Sequence, residues 1–200
     1  MNQTKNQRQL QLFKQIRQYF ISNQIEIIDS SISNSGAIEQ KVGLEETYVR
    51  PGLLAYGQTS VLKNDDLKID WNGRLIGSLR AQILSLKEIQ KGTPIGYGAQ
   101  VCPDSGLLAI IGLGYGDGFS CAYQGTEFDF EGNVGKIVGR VNMDMTQILF
   151  PKNTSLKVGQ WIELWGTQNS NLENFCRRAK KIPYEVFCNL SPRLPREYIG

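Results

Sequence analysis

The heptapeptide Gly139-Arg140-Val141-Asn142-Met143-Asp144-Met145 carries an arginine and a carboxylate four residues apart. It lies between two β-like runs, Lys136-Ile137-Val138 and Gln147-Ile148-Leu149-Phe150. A cation, an acid and loop amides at one strand edge suit a small zwitterion or carboxylate. The same spacing also describes an ordinary surface Arg–Asp pair on a hairpin. Gly96-Tyr97-Gly98 sets a phenol between two glycines, which permits an unusual backbone path, or a hairpin aromatic packed on a sheet. Gly114-Tyr115-Gly116-Asp117-Gly118 repeats the idea with an acid added and also reads as a glycine-rich β-turn. Ser33-Asn34-Ser35-Gly36 and Pro51-Gly52-Leu53 offer hydroxyls and free amides that fit a phosphate, and equally fit plain turns. Ile182-Pro183-Tyr184-Glu185 puts a phenol at a helix start, where it can donate to an anion or pack in a core or interface.

Composition narrows the chemistry. The 200 residues are 40% hydrophobic and 20% charged, an ordinary globular balance, and can bury a core in one or two domains. A formal charge of +3 without a Lys/Arg block argues against nucleic acid. No apolar run approaches the roughly 20 residues of a membrane span, and the polar N-terminus lacks a secretion signal. The four cysteines are scattered and histidine is absent, so no metal site is expected and reduced cytosolic thiols are the default. Without histidine, proton chemistry falls to Tyr, Lys, Cys or a carboxylate.

The elements that must position these residues differ between the two parts of the chain. Leu10, Phe13, Ile16, Tyr19 and Phe20 mark an amphipathic helix over 7–21. Ile25–Ile28 and Tyr48–Arg50 read as strands, with a short helix near Ala37–Lys41. That rhythm belongs to an α/β unit, yet two parallel strands cannot make a sheet alone, so the segment looks like the tail of something larger. Residues 58–73 turn polar and read as a linker. Apolar runs at Leu79–Leu86, Leu107–Leu113, Lys136–Val138, Gln147–Phe150 and Trp161–Trp165 then recur between glycines, the pattern of a small antiparallel barrel or sandwich. Ser170-x-x-Glu173 is a capping box before a helix whose buried stripe is Leu172, Phe175, Cys176 and Ala179. Pro183 suits the first position of a second short helix.

Taken together, these motifs resemble the C-terminal part of alanine racemase, a fold-type III family dependent on pyridoxal phosphate (PLP). The resemblance runs from about Ser31 to Tyr198. It rests on Asn34-Ser35, Val49-Arg50-Pro51-Gly52 with Tyr56-Gly57, Gly96-Tyr97-Gly98-Ala99, Gly114–Gly118, Val138–Met145, Tyr184-Glu185-Val186 and Arg193-Leu194-Pro195-Arg196. It implies an α+β chain: a mainly antiparallel β-barrel C-terminal domain (74–200), preceded by the last βα elements of an incomplete TIM-type barrel (1–57) and a linker (58–73).

The resemblance also implies roles. Tyr97 matches the catalytic tyrosine. Racemisation removes a proton from one face of Cα and returns one to the other, so two groups must flank the carbon. A phenol ionises near pH ~10, so a tyrosine acting as base needs surroundings that lower it. The second group is the lysine that anchors PLP. Arg50 matches the arginine facing the pyridine nitrogen; a guanidinium keeps its proton, so the ring is a weaker electron sink. Asn34 and Ser35 lie in the cofactor-binding stretch, and Ser35, Gly52, Leu53 and Tyr184 match the phosphate cradle, Gly52 and Leu53 through backbone N–H. Met143 matches a substrate-carboxylate contact through its N–H. Tyr115, Arg140 and Ile182 match the substrate entrance, and Asp144 an acid near it.

Three departures stand out. The family's PLP lysine lies near the start of its first domain, ahead of anything here. Ser31 stands where the family usually has histidine, in the network of the pyridine-facing arginine. Ser120 and Cys121 occupy the place of an entrance arginine. The expectation is a C-terminal portion of a cytoplasmic alanine racemase, inactive by itself. Its substrate would be alanine, and it would work as a homodimer or with a chain carrying the missing barrel. In family dimers the tyrosine of one subunit completes the other's site. The alternatives are a non-catalytic remnant or interaction domain, or another fold-type III PLP amino-acid racemase.

Overall fold

A computed structural model describes residues 3–59, 73–166 and 172–199. The chain divides into two compact units, Met1–Arg74 and Leu75–Gly200. Most of the expected linker and Ser170 of the expected capping box lie outside the described residues.

In the first unit, helix α1 spans Gln3–Ser22. Its apolar stripe is only partly used: Leu10 and Phe13 are half-buried, while Ile16, Tyr19 and Phe20 stay exposed. The chain leaves the helix through Gln24, whose φ of 56° turns it, and the Ile25 N–H donates back to the Phe20 carbonyl at 2.9 Å. Arg17 binds both carboxylate oxygens of Glu46 at 2.7 Å, and the Ser30 hydroxyl donates to the same carboxylate. These bonds tie α1 to the segment that follows it. Helix α2, Ser35–Glu39, is one short turn capped by Asn34 Oδ1, which accepts from the Ala37 N–H at 3.1 Å.

The strands expected at Ile25–Ile28 and Tyr48–Arg50 do not form. Both segments lack a regular ladder, and what pairs is a single parallel bridge between Asn34 and Arg50. Parallel strands need neighbours on both sides and cover on both faces. Ile25, Ile28, Tyr48 and Val49 are exposed here, so the apolar signal that reads as strand finds nothing within this unit to pair with.

The second unit is a six-stranded antiparallel sheet, barrel-like and nearly closed. In chain order the strands are β1 Leu79–Ile89, β2 Pro94–Ile95, β3 Gln100–Val101, β4 Gly106–Ile111, β5 Glu127–Phe130, β6 Asn133–Val138, β7 Thr146–Phe150 and β8 Trp161–Trp165. The sheet order is β5-β6-β7-β4-β1-β8, and β2-β3 make a separate hairpin. The two edge strands, β5 and β8, approach one another as the sheet curls. Strand β1 pairs with β8 through its first half and with β4 through its second, with a register shift between Ile83 and Ser85. Such an irregularity bends a strand and increases local twist, which lets one strand serve both sides of a closing sheet.

Both faces of the sheet's centre are covered. Ile83, Ile111, Ile137, Ile148 and Phe150 face a main core that also holds Phe119, Tyr123, Trp165 and Phe175. Ile89, Ile95, Cys102, Leu108, Val138 and Leu149 form a smaller core beneath the β2–β3 hairpin. This explains why every residue of β7 is buried rather than every second one. Helix α3, Leu172–Ala179, buries Leu172, Phe175, Cys176 and Ala179, as its spacing predicts. Helix α4, Pro183–Asn189, begins at its proline. Among the described residues no helix is long and apolar enough to cross a membrane.

Candidate active site

The second unit carries an open cleft of about 730 Å³ whose lining includes Tyr97, Tyr115, Cys121, Arg140, Met143 and Asp144. Three connections build it. The β2–β3 hairpin carries Tyr97 at its tip, where Gly96, Gly98 and Ala99 all have positive φ. The tip projects the ring outward, and Tyr97 is 72% exposed. The β6–β7 loop carries Arg140, Met143 and Asp144. The turn Tyr115–Asp117 follows β4 and carries Tyr115.

The glycine motif before Tyr115 is explained by close backbone approach. The Tyr115 N–H donates to the Asn142 carbonyl and the Gly116 N–H to the Met143 carbonyl, both at 2.9 Å. A Cβ on Gly114 would overlap those two carbonyl oxygens, so only glycine lets the chains dock. Docking uses the carbonyl of Met143 and leaves its N–H donating to no described residue, on an exposed residue lining the cleft. Gln124 Nε2 ties the wall to the Tyr97 hairpin by donating to Gln100 Oε1 at 2.6 Å.

Electrostatics set the sign of the cleft. Arg140 and Asp144 do not pair with each other, contrary to the simple hairpin ion pair. Asp144 accepts from Arg193 Nη2 at 2.5 Å, and Arg193 Nε also lies 3.5 Å from Asp117. The hydrogen bond to Asp144, reinforced by the Asp117 charge, raises the Arg193 guanidinium above its ordinary range. Asp117 is held a second time by the Gly114 N–H at 2.9 Å. Among the described residues no acid pairs with Arg140, whose guanidinium rests against Gly98, with Cζ 3.6 Å from the position a Cβ there would take. The acid is thus neutralised and the cation is free, which favours an anion in the cleft. Where an entrance arginine is expected, Ser120 caps the turn Cys121–Tyr123 through the Ala122 N–H, and Cys121 is exposed in the cleft wall.

The remaining predicted residues of this unit sit at α4. Ile182 precedes the helix and is exposed, and Tyr184 lies in its first turn, also exposed.

The first unit gathers a different set. Arg50 Nη1 donates to Ser31 Oγ at 2.7 Å and to the Ser31 carbonyl at 3.0 Å. Ser31, one of the departures from the resemblance, thus bonds Arg50 directly. Ser35 Oγ accepts from the Gly52 N–H at 2.8 Å and the Leu54 N–H at 3.5 Å. The Gly52 amide expected to face a phosphate is thus spent on Ser35, while the Leu53 N–H donates to no described residue. Ser35 keeps its own hydroxyl proton to give. Asn34 is committed to its helix cap, and Ser33 to the Val42 and Gly43 carbonyls. A free amide, a donor hydroxyl and an exposed guanidinium fit the phosphate and ring nitrogen of PLP.

Sequence reasoning missed Gln124 and the partner of Asp144. Arg193 is 49 residues from Asp144, beyond any local spacing rule.

Comparison with known proteins agrees with this geometry. The family model described as "Alanine racemase, C-terminal domain" matches residues 76–198. An alanine racemase of Laribacter hongkongensis is 31% identical over 175 residues, covering 86% of this chain and 48% of that protein. A catabolic alanine racemase of Pseudomonas putida is 34% identical, with 86% and 48% covered. Among solved structures, the alanine racemase of Clostridium difficile 630 in complex with cycloserine superposes with a TM-score of 0.83 at 26% identity, covering 96% of this chain and 51% of that one. That of Acinetobacter baumannii gives 0.72 at 34% identity, with 91% and 51% covered. The chain spans about half the length of the relatives it matches. With a matched domain that takes in the cleft, the chain belongs to the alanine racemase family.

Proposed function

We propose that this chain supplies the phenol, the carboxylate-binding edge and part of the cofactor cradle of an alanine racemase. The observation that carries the reading is the cleft in which Tyr97, an unpaired Arg140 and the free Met143 N–H converge. The substrate carboxylate accepts from the Met143 N–H and faces Arg140, which orients its Cα toward the phenol of Tyr97. Tyr97 gives or takes the proton on one face of that carbon. Tyr115 and Asp144, the latter held by Arg193, shape the entrance with Ile182.

In the first unit, Ser35 and the Leu53 N–H would hold the phosphate of PLP, and Arg50, oriented by Ser31, its ring nitrogen. Asn34 contributes by fixing the start of α2. When bound, PLP supplies the electron sink that makes the alanine Cα–H acidic. The anchoring lysine belongs to the barrel portion that this chain does not span. A lysine-bearing βα polypeptide, or a homodimer that includes it, is therefore the partner. The exposed Ile16, Tyr19, Phe20, Ile25 and Ile28 are the surface it would cover. The free thiols suit a cytoplasmic setting.

The test is conversion of L-alanine to D-alanine with PLP added. The 200 residues alone should give no conversion. Co-folded with the N-terminal half of the Pseudomonas putida relative, they should give conversion that Tyr97→Phe removes. Racemisation by the chain alone, or none by the folded assembly, overturns the proposal.

A further inference from the structure

We propose that Gln147 is a positioning residue that seats the Tyr97-bearing turn and the Arg140-bearing turn on one side chain. The inference rests on the reading of the cleft given above and adds what holds its two key groups in register.

Gln147 is out of pattern for its place. Along β7, Thr146, Ile148 and Phe150 point to one face, and Gln147 and Leu149 to the other. That second face is otherwise apolar, with Ile89, Ile95, Leu108, Val138 and Leu149 packed beneath the hairpin. Gln147 is only 7% exposed, yet its Oε1 is buried without a hydrogen-bond partner among the described residues. Its neighbour Thr146 is satisfied, donating to the Leu113 carbonyl at 2.6 Å. A buried amide with an unmet acceptor costs stability and calls for a reason.

The reason lies in what rests on it. Gly96, with φ 57°, packs so closely that a Cβ there would be 2.7 Å from Gln147 Nε2 and 3.1 Å from Oε1. Gly139, with φ 65°, packs on the same amide, and its Cβ would be 2.8 Å from Oε1. Gly96 immediately precedes Tyr97, and Gly139 immediately precedes Arg140. The two turns therefore take their positions from one planar group. Gly139 also faces Ile95, the last residue of β2, so the turns meet over the end of the small core. Both glycines adopt left-handed backbone and give the amide room that no other residue would leave.

The experiment uses the full 200-residue chain, nitrogen-15 labelled and without ligand. In the parent, backbone order parameters at Tyr97 and Arg140 should both be near ~0.85, and in Gln147→Ala both should fall below ~0.6, while Ile110 and Ile148 are unchanged. Should the alanine variant fail to fold, Gln147→Met keeps most of the volume and removes the amide. Amide shifts must then move at both 96–98 and 139–140. A residue that merely fills the small core lowers the unfolding midpoint and leaves both turns as ordered as before. That result, or a change at one turn only, overturns the proposal. No amino acid is present, so the outcome is separate from whether alanine binds, which a titration of the parent with L-alanine reads.

Discussion

Arg193 decides which charge the cleft presents. It binds Asp144 and lies against Asp117, so the acid that lines the cleft among the described residues is matched and Arg140 is left to face an anion. Replacing Arg193 by methionine frees Asp144, and acetate followed at the Met143 amide should bind more weakly. Arg140→Leu should weaken acetate about ten-fold or more, since a hydrogen bond to a charged group contributes roughly 1.5–3 kcal/mol. Acetate affinity unchanged by Arg140→Leu would remove the guanidinium from the site. The residue types of this cleft are legible in the sequence, because glycines flanking a tyrosine and an arginine in a loop are local features. Their partners are not. Arg140 and Asp144 stand at a spacing that invites an ion pair, yet the acid turns to an arginine distant in sequence. Ser31 is a comparable case: a loss when judged by residue type, it keeps a 2.7 Å bond to Arg50.

At the scale of elements, the docking of the Tyr115–Asp117 turn onto the β6–β7 loop fixes where the Met143 N–H lies. Gly114→Ala puts a methyl group into two carbonyl oxygens, and overpacking of this kind costs about 1–3 kcal/mol. The urea midpoint should fall accordingly and the Met143 amide resonance should shift; a silent substitution would mean that the turn does not set the loop. In the first unit, the amides of Glu26, Ile27 and Ile28 donate to no described residue and should exchange rapidly in the isolated chain. Slow exchange there would indicate a covering partner already in place. Short apolar runs announce β1, β4, β6, β7 and β8; β4, β7 and β8 are largely buried along their length, whereas β1 alternates buried and exposed residues through its first half. Strand β5 lacks the continuous apolar run of its neighbours; its signal is the alternation of Glu127 and Asp129 with the buried Phe128 and Phe130 at the sheet's edge, which a search for apolar runs passes over. Ile25–Ile28 misleads for the opposite reason: the residues are strand-like and pair with no strand among the described residues.

At the scale of the molecule, the β-domain is held by a core that buries ionisable groups in neutral form. Burial pushes the Tyr123 phenol up to about 12, helped by repulsion from Cys176 and Glu185. Burial likewise pushes the Cys176 thiol up to about 12, with Glu173 and Glu185 adding to it. In the unfolded chain both ionise earlier, so the native state holds more protons in alkaline solution. Their stabilisation is complete below pH ~9 and is lost as pH rises toward ~12, at no more than about 1.4 kcal/mol per pH unit for each group. The urea midpoint should decline across that window, and Tyr123→Phe should flatten the decline; a pH-independent midpoint would contradict the burial. The proposed role of Tyr97 belongs to the same scale, since the chain spans about half the length of the relatives it matches. The most direct measurement is hydrogen–deuterium exchange at the alanine Cα, followed separately for each enantiomer in the chain co-folded with a lysine-bearing barrel. Tyr97→Phe should slow exchange of one enantiomer by roughly 10²–10⁴-fold, the usual contribution of a positioned acid or base, and leave the other exchanging. Equal exchange of both enantiomers at the parent rate would contradict a proton-transfer role for Tyr97.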